Sequence, residues 1–473
     1  MGAATTGTTV AWFRRDLRTA DHPALSRAAA RGPVVCLFVV DPALLARRHH
    51  DAPARLRFLR AGLEALDGDL RERGGRLVVR AGPPHVVVPA TCAEAGADLV
   101  TATRDVSPFA RARDHAVRRA LGDAGVGLEL HGGDLLAEPA DVPGPSGDGY
   151  RVFTAFLRTW RGIVPPPLLP APELLHGPAL PGDGAGMLPH GPPRVPAGAA
   201  AARARLVDFI RSGGADGYAD RRDAPAADAT SGLSPYLRFG MCTAAQVGRA
   251  LGLPGELPAG REALWRQVAW REFFHHLLAR HPRAARGAWR RELAAMRWDD
   301  DPDGFRAWAD GRTGYPLVDA AMRQLASEGR IHNRARMVAA SFLVKDLLID
   351  WRRGETHFMR HLLDGDPASN NGGWQWVAGT GADAAPYFRV LNPVRQSERF
   401  DPHGDYIRRH VPELARVPAP HVHAPWCMTA GQQEAAGCAI GRDYPAPLVD
   451  HAARREEALR RYGEARESAA GPR

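Results

Sequence analysis

Seven consecutive apolar residues, Val34–Val40 (VVCLFVV), constrain the fold of this chain more than any other stretch. A Val-rich run of this length is typical of a β-strand that is buried on both faces. Such strands belong to parallel sheets, because the helices that connect parallel strands cover both sides of the sheet. The run is also far too short to cross a bilayer. It therefore predicts a parallel sheet with helices on either side of it.

The sequence around this run supplies the expected alternation of strands and helices. Further strands are predicted at Thr8–Phe13, Arg76–Arg80, Leu99–Ala102 and Gly127–His131. Helices are predicted at Asp21–Arg31 (with Asp21 as its N-cap), Ala54–Arg73, Pro83–Ala95 and Phe109–Ala124. No GxGxxG motif follows the first strand, which excludes the usual dinucleotide fingerprint. The fold class predicted here is α/β, with a Rossmann-like parallel sheet in residues 1–132.

The remainder of the chain differs in composition and in hydrophobic pattern. Residues 133–198 are rich in Pro and Gly and are predicted to be a connector on the surface, with one short helix near Phe153–Trp160. Residues 199–473 carry mostly helical periodicity and are predicted to form a large all-α domain. The clearest helices are predicted at Ala199–Ser212, Thr243–Gly252, Arg261–His281, Tyr315–Glu328, His332–Trp351, Thr356–Leu363 and Leu448–Glu467.

The positive charge of the chain is carried almost entirely by one residue type. The net charge is +9, and arginine supplies all but one of the 62 cationic residues, since Lys345 is the only lysine. This excess is compatible with a polyanionic partner, but GC-rich codons would produce it as well. The five cysteines show no CxxC spacing, and the N-terminus has no secretory signal. We therefore expect free thiols, no metal site and a cytoplasmic protein.

Four segments concentrate residues that could carry chemistry. Asp364–Pro393 is dense in Gly, Asn, Asp and Ser, which indicates either a loop that encloses a polar planar ligand or an ordinary structural loop. Thr230–Gly240 places hydroxyls before a helix, as N-caps do and as phosphate sites do. Arg261–His281 carries an aromatic stripe that is mostly core, and its histidines lack a metal-binding pattern. His332–Trp351 places Asn, Arg and Met on one helix, which is unusual for a plain core.

The chain contains strings that resemble the photolyase/cryptochrome flavoproteins, and among these the class I cyclobutane pyrimidine dimer photolyases. The strings include WFRRDLR, DGYADRRD, TSGLSPYLRFG, WREFF, HNRARM, SFLVKDLLIDWRRGE, NNGGWQW and GTGADAAPYFRVLNP. The resemblance runs from about residue 8 to residue 464. It implies an N-terminal antenna domain and a C-terminal catalytic domain that holds one U-shaped FAD.

The resemblance also implies roles for individual residues. Arg336 and Asp364 would form an ion pair over the isoalloxazine, Asp366 would lie near the ribityl chain, and Asn370 would face flavin N5. The implied FAD-binding residues are Tyr218, Thr230, Ser231, Gly232, Leu233, Ser234, Asn333, Arg336, Asp364, Asp366 and Asn370. The implied DNA- and lesion-binding residues are Arg222, Gln267, Trp270, Arg271, Arg334, Met337, Trp376 and Arg389. Trp298, Trp351 and Trp374 would form an electron-transfer chain; without the resemblance, the same residues would be interpreted as core packing.

The activity implied by the resemblance is light-driven repair of DNA. Excited reduced FAD (FADH⁻) would pass an electron to a flipped-out dimer, and the protein would supply position and electrostatics. A neutral amide at Asn370 tolerates an anionic flavin and so favours repair over the alternative, a cryptochrome-type blue-light receptor. The chain stops soon after its last predicted helix, which also favours repair over a light receptor. The implied partner is UV-damaged DNA, and we expect a monomer that does not engage a membrane.

Three features of the sequence depart from the family pattern or refine it. Gln267 stands where dimer photolyases carry Glu, so it can still hydrogen-bond a thymine edge but cannot give up a proton. Arg330-Ile331 replaces the usual aromatic residue and Met before His332. Arg104-Asp105, together with Asp51, favours 8-hydroxy-deazaflavin over methenyltetrahydrofolate as a second, antenna chromophore.

Overall fold

The computed structural model describes residues 7–46, 52–182, 184–382 and 389–470. By its internal contacts the chain divides into two compact units. Unit 1 comprises residues 1–219, 231–282 and 363–368, and unit 2 comprises residues 220–230, 283–362 and 369–473. The division of the sequence into residues 1–132, 133–198 and 199–473 stays a prediction, because a division by contacts does not test domain boundaries along the chain.

Unit 1 is built on a five-stranded sheet in the order β3-β2-β1-β4-β5, with every neighbouring pair parallel. The strands are β1 Thr8–Phe13, β2 Val34–Val40, β3 Leu77–Ala81, β4 Ala97–Thr103 and β5 Gly127–His131. The helices among and after them are α1 Pro23–Ala29, α2 Pro42–Leu45, α3 Pro53–Arg71, α4 Pro84–Ala95, α5 Pro108–Asp123, α6 Phe153–Trp160, α7 Ala199–Arg211, α8 Tyr218–Arg221, α9 Ser234–Arg238, α10 Ala244–Leu251 and α11 Ala259–Arg280. The predicted α/β class, the parallel sheet and the helical remainder are confirmed.

The central strands form the core of the sheet because both of their faces are covered. Every residue of β2 is buried, as the apolar run predicted. Val10, Leu37 and Val100 from three neighbouring strands are fully buried, and they pack in one cluster with side chains of α4 and α5. Burial of such aliphatic side chains contributes about 1.5–3 kcal/mol each, so this cluster fixes the order of the strands.

Two predictions about unit 1 are wrong in detail. Asp21 does not cap α1: its φ is +53°, and His22 is the N-cap, its Nδ1 accepting from Leu25 N at 3.1 Å. Asp21 instead accepts a hydrogen bond from Thr243 Oγ1 at 2.7 Å. The Pro/Gly-rich connector does not lie wholly on the surface, because Leu175 is 1% exposed and the neighbouring His176 carbonyl accepts from Val34 N at 2.7 Å.

Unit 2 is helical in its described residues. Its helices are α12 Pro302–Ala309, α13 Pro316–Glu328, α14 Asn333–Ser341, α15 Trp351–His361, α16 Pro367–Ala378, α17 Pro393–Phe400, α18 Asp405–His410, α19 Ala430–Ala436 and α20 His451–Ala470. One hydrophobic cluster joins α13, α14, α15, α16 and α18. None of the helices described in the chain has the length and apolarity needed to cross a membrane.

The single helix predicted at His332–Trp351 is wrong. α14 ends at Ser341, a π-helical turn covers Phe342–Asp346, and α15 begins at Trp351. The wider turn places Lys345 and Asp346 in the interior, at 4% and 0% exposure. Periodicity predicts a helix here because apolar residues fill every side of it, and this pattern cannot distinguish a π turn from an α turn.

The predicted loop at Asp364–Pro393 also contains a helix, α16. Pro367 opens that helix, and Asp366 Oδ1 accepts from Ala368 N at 3.0 Å, as an N-cap side chain does. Gly, Asn and Ser have weak helix propensity, but tertiary packing overrides that preference where a helix buries Trp374 at 3% exposure. Residues 383–388 of the same segment lie outside the described residues.

Candidate functional site

The hydroxyl-rich segment before α9 is not an N-cap cluster. Leu233 occupies the N-cap position, and no side chain caps the helix. The Ser231 hydroxyl accepts from Leu233 N at 3.4 Å and so closes a local turn. Gly232 has a φ of +65°, a left-handed conformation that glycine adopts without strain. The interpretation as simple capping is therefore wrong, and the FAD-binding roles of Ser231, Gly232, Leu233 and Ser234 stay predictions.

The short helix α9 connects this segment to the predicted acidic FAD residues of unit 1. At its C-terminal end Arg238 Nε donates to the Gly365 carbonyl at 2.7 Å, between Asp364 and Asp366. At its N-terminal side Arg205 Nε donates to the Ser231 carbonyl at 2.7 Å. Tyr218, another predicted FAD residue of this unit, is 8% exposed. Unit 1 thus brings the hydroxyl segment and the acidic segment together through one buried arginine.

Helix α11 carries three residues predicted to contact the lesion or DNA. Trp270 stacks face to face on Phe153, with ring centroids 3.6 Å apart and an interplanar angle of 9°. Gln267 Nε2 donates to the Ala263 carbonyl at 3.2 Å, within its own helix. Arg271 Nη2 forms an ion pair with Asp134 Oδ1 at 2.6 Å. These contacts already engage one face of Trp270 and one end of Arg271, and the DNA contacts of all three residues stay predictions.

Helix α11 also carries a titratable residue that the sequence reasoning missed. Glu272 is fully buried, and its carboxylate accepts from Leu136 N at 2.9 Å and Ala137 N at 3.4 Å. Burial raises the pKa of Glu272 to about 7, although Arg271 and the two amides oppose that rise. Its partners are more than 130 residues away in sequence, so no local pattern indicates its role.

Helix α14 of unit 2 begins with the predicted residues of the HNRARM string. Asn333 is exposed, and its Nδ2 lies 3.7 Å from Met337 Sδ. Arg334 Nη2 pairs with Asp223 Oδ1 at 3.0 Å, and its guanidinium lies 4.1 Å from the centre of the Phe400 ring. Arg336 is partly buried. The helix therefore presents Asn333 and Met337 together on one face, as their spacing of four residues predicted.

Asn370 lies at one end of a series of side-chain hydrogen bonds in unit 2. It is 4% exposed, and its Nδ2 donates to the Glu355 carbonyl at 3.0 Å. The Glu355 side chain accepts from Asn371 Nδ2 at 3.2 Å, and Asn371 Oδ1 accepts from Gln375 Nε2 at 2.8 Å. Because Glu355 holds the amino end of Asn370, the carbonyl end is oriented away from it. No local sequence pattern indicates this role of Glu355, which lies 15 residues from Asn370 on a different helix.

The predicted tryptophan chain lies in or against a single hydrophobic cluster of unit 2. Trp351 and Trp374 are 1% and 3% exposed, and Trp298 and Trp376 are partly buried and pack against the cluster. Trp374 meets Phe358 edge to face, with ring centroids 4.9 Å apart. These contacts are the ones expected of residues that only pack the core. The electron-transfer role of the three tryptophans therefore stays a prediction.

The remaining predicted residues of unit 2 lie towards the surface. Arg222 and Thr230 are partly buried, and Arg389 is exposed. The π turn and the last residue of α14 hold the backbone beside Arg389, because Lys345 Nζ donates to the Arg389 carbonyl and Ser341 Oγ accepts from Leu391 N at 3.3 Å. Burial lowers the pKa of Lys345 to about 7, with Asp346 opposing the shift.

The residues present fit the flavin that the resemblance implies. Asn370 Oδ1 is buried and accepts no hydrogen bond from the part of the chain that the structure describes. A buried carbonyl oxygen without a donor is costly in a folded protein, so a donor from a ligand would satisfy it. Among the described residues, no three His, Cys, Asp or Glu side chains group as metal ligands would.

Two family models match the chain. Residues 9–173 match the DNA photolyase model, and residues 264–464 match the FAD binding domain of DNA photolyase. The deoxyribodipyrimidine photo-lyase of Streptomyces griseus is 44% identical over 469 residues, which cover 97% of this chain and 98% of that protein.

Two solved structures extend these similarities to the fold. A class III photolyase from Agrobacterium tumefaciens has a TM-score of 0.91 at 39% identity and covers 99% of this chain and 100% of its own. A cryptochrome from Synechocystis has a TM-score of 0.89 at 30% identity and covers 96% of this chain and 98% of its own. The chain belongs to the DNA photolyase family, a family of lyases whose FAD-binding domain it carries.

Proposed function

We propose that this protein repairs UV-damaged DNA by splitting cyclobutane pyrimidine dimers in light, as the class I enzymes do. When bound as FADH⁻, the flavin supplies the electron that opens the cyclobutane ring. The observation that carries the proposal is the buried, oriented amide of Asn370, whose Oδ1 has no donor among the described residues. A neutral acceptor at that position hydrogen-bonds an N–H without opposing a negative charge, as a carboxylate would.

The other proposed roles come from the sequence resemblance. Tyr218, Thr230 and Ser231–Ser234 would bind FAD phosphates, and Asn333, Arg336, Asp364 and Asp366 would complete the cofactor contacts. Trp298, Trp351 and Trp374 would carry electrons through the core of unit 2. The proposed lesion and DNA contacts come from Arg222, Gln267, Trp270, Arg271, Arg334, Met337, Trp376 and Arg389.

We further propose that the protein works as a cytoplasmic monomer with a second, antenna chromophore, for which 8-hydroxy-deazaflavin is favoured over methenyltetrahydrofolate. Of the residues that suggest this preference, Asp51 lies outside the described residues. Asp105 accepts from Ser107 N at 2.9 Å, and Arg104 pairs with Glu138 at 3.2 Å. An absorption spectrum of the purified protein tests this point, because a deazaflavin and a folate absorb at different wavelengths.

The test of repair uses photoreduced protein and an oligonucleotide that contains one cyclobutane dimer. We expect the dimer to disappear in visible light and to persist in darkness. Asn370→Asp should retain FAD but lose stable reduced flavin and most of the repair, whereas Asn371→Asp, one residue away, should affect repair less. Flavin that is photoreduced without any loss of dimers would refute the repair function and would favour a cryptochrome-type light receptor; the Synechocystis neighbour is named a cryptochrome.

A further inference from the structure

Arg15 belongs to the WFRRDLR string, to which the sequence reasoning assigned no role. It follows β1 by two residues, and its guanidinium meets three carboxylates of unit 1. Nη1 lies 3.2 Å from Asp366 Oδ2 and 3.8 Å from Asp105 Oδ2, and Nη2 lies 3.2 Å from Asp134 Oδ2. Asp105 and Asp134 follow β4 and β5, so the carboxyl ends of three parallel strands converge on Arg15.

Asp366 is the one member of this group with a proposed place beside FAD. It is 6% exposed, and its Oδ1 lies 3.5 Å from His275 Nε2. Arg238 holds the preceding carbonyl, Gly365 O, and its Nε lies 4.0 Å from Asp366 Oδ2. Burial opposes ionisation of Asp366, but His275 and Arg15 outweigh it, and the pKa stays well below its ordinary value. Asp366 therefore carries a full negative charge at neutral pH.

Arg15 lies closer to this charge than Arg238 does. Arg238 lies 0.8 Å further from the same oxygen, since 4.0 − 3.2 = 0.8. The charge of Asp134 has a second partner in Arg271, at 2.6 Å, so Arg15 is not needed to neutralise it alone. The side chain of Arg15 is only 16% exposed, which limits screening by solvent.

We propose that Arg15 is a positioning residue of the flavin site, which fixes and neutralises Asp366 from the edge of the parallel sheet and thereby raises the reduction potential of the bound flavin. The proposal rests on the proposed function, which puts Asp366 beside FAD. A carboxylate that lacks its cation disfavours a second negative charge nearby, and formation of FADH⁻ adds such a charge. Removal of Arg15 should therefore make the bound flavin harder to reduce.

The test is a spectroelectrochemical titration of the FAD-loaded protein, together with its FAD dissociation constant and thermal midpoint. For Arg15→Gln we expect the ratio of reduced to oxidised flavin at a fixed potential to fall about tenfold, which corresponds to about 30 mV for a two-electron couple. Arg15→Lys keeps the charge and should recover most of the shift. The matched control is Arg14→Gln, which removes the neighbouring charge from an ion pair with Asp114 (2.5 Å).

The proposal is overturned if Arg15→Gln weakens FAD binding or lowers the thermal midpoint but leaves the potential unchanged. It is also overturned if Arg14→Gln lowers the potential as much. Should Arg15→Gln not fold, the double variant Arg15→Gln/Asp366→Asn decides: a potential at or above that of the wild type supports the proposal, and a lower one overturns it. A wild-type protein that binds no FAD would instead refute the proposed function.

Discussion

The carboxyl of Glu355 should make the stability of this protein depend on pH in a predictable direction. Burial raises the pKa of Glu355 to about 7 from an ordinary 4.5, against the opposing effects of the Asn371 hydrogen bond and Arg352. The difference, 7 − 4.5 = 2.5 units, corresponds to about 3 kcal/mol at about 1.36 kcal/mol per unit. Solvent still reaches part of this side chain, so we expect about 1–3 kcal/mol.

The direction of this pH dependence follows from which state, folded or unfolded, holds the Glu355 proton more tightly. Between pH 4.5 and about 7 the folded protein keeps the Glu355 proton while the unfolded chain loses it. The free energy of unfolding should therefore fall as the pH rises through that window, and the contribution should be fully present below it. The assay is urea unfolding at pH 5, 6, 7 and 8 with a constant excess of FAD, followed by circular dichroism.

Glu355→Gln isolates the effect from other groups that titrate in the same range, such as Glu272. The amide keeps the acceptor for Asn371 and does not titrate, so the loss of stability between pH 5 and 8 should shrink by about 1–3 kcal/mol. Glu434→Gln, on the exposed face of α19, is the matched control and should leave the pH dependence of the wild type unchanged. The same pH dependence in Glu355→Gln as in the wild type would refute the reasoning.

Two further predictions concern tryptophans. A methyl group at Gly354 would lie 2.6 Å from both Trp374 Cζ3 and Leu343 Cδ2, so Gly354→Ala should lower the free energy of unfolding by about 1–3 kcal/mol, measured in urea. Gly373→Ala, where a methyl group meets nothing within 4 Å, should be neutral or stabilising, and an equal loss in both variants would contradict the packing argument. Trp376→Ala should weaken binding of dimer-containing DNA by about 1–3 kcal/mol in a fluorescence titration, and unchanged affinity would count against stacking on the lesion.

The sheet could be predicted from the sequence because its signals are local. β1, β2 and β5 begin and end at the predicted residues, and β3 is displaced by only one residue. Each strand is a short apolar run bounded by Gly, Pro or polar residues, so neighbours along the chain suffice to identify it. Helices α6 and α11 could be predicted for the same reason, since their signals are also local.

The interior of the site could not be predicted, because its contacts join distant parts of the chain. Arg15 and Asp366 are 351 residues apart (366 − 15 = 351), yet they form an ion pair. Glu355 gains its high pKa from burial, which no sequence pattern around it indicates. The resemblance supplied candidate positions such as Asn370, and the structure supplied the hydrogen bond that orients its amide.

The π turn has a practical consequence, because it buries the chain's only lysine. Lys345 is 4% exposed, so amine-directed acylation of the folded protein has a single side-chain target, and that target is accessible only when the turn opens. A lysine-specific protease likewise has one possible cut, which yields fragments of 345 and 473 − 345 = 128 residues. The rate of either reaction would measure how often the segment that holds the Arg389 backbone opens, and no label would have to be engineered into the protein beforehand.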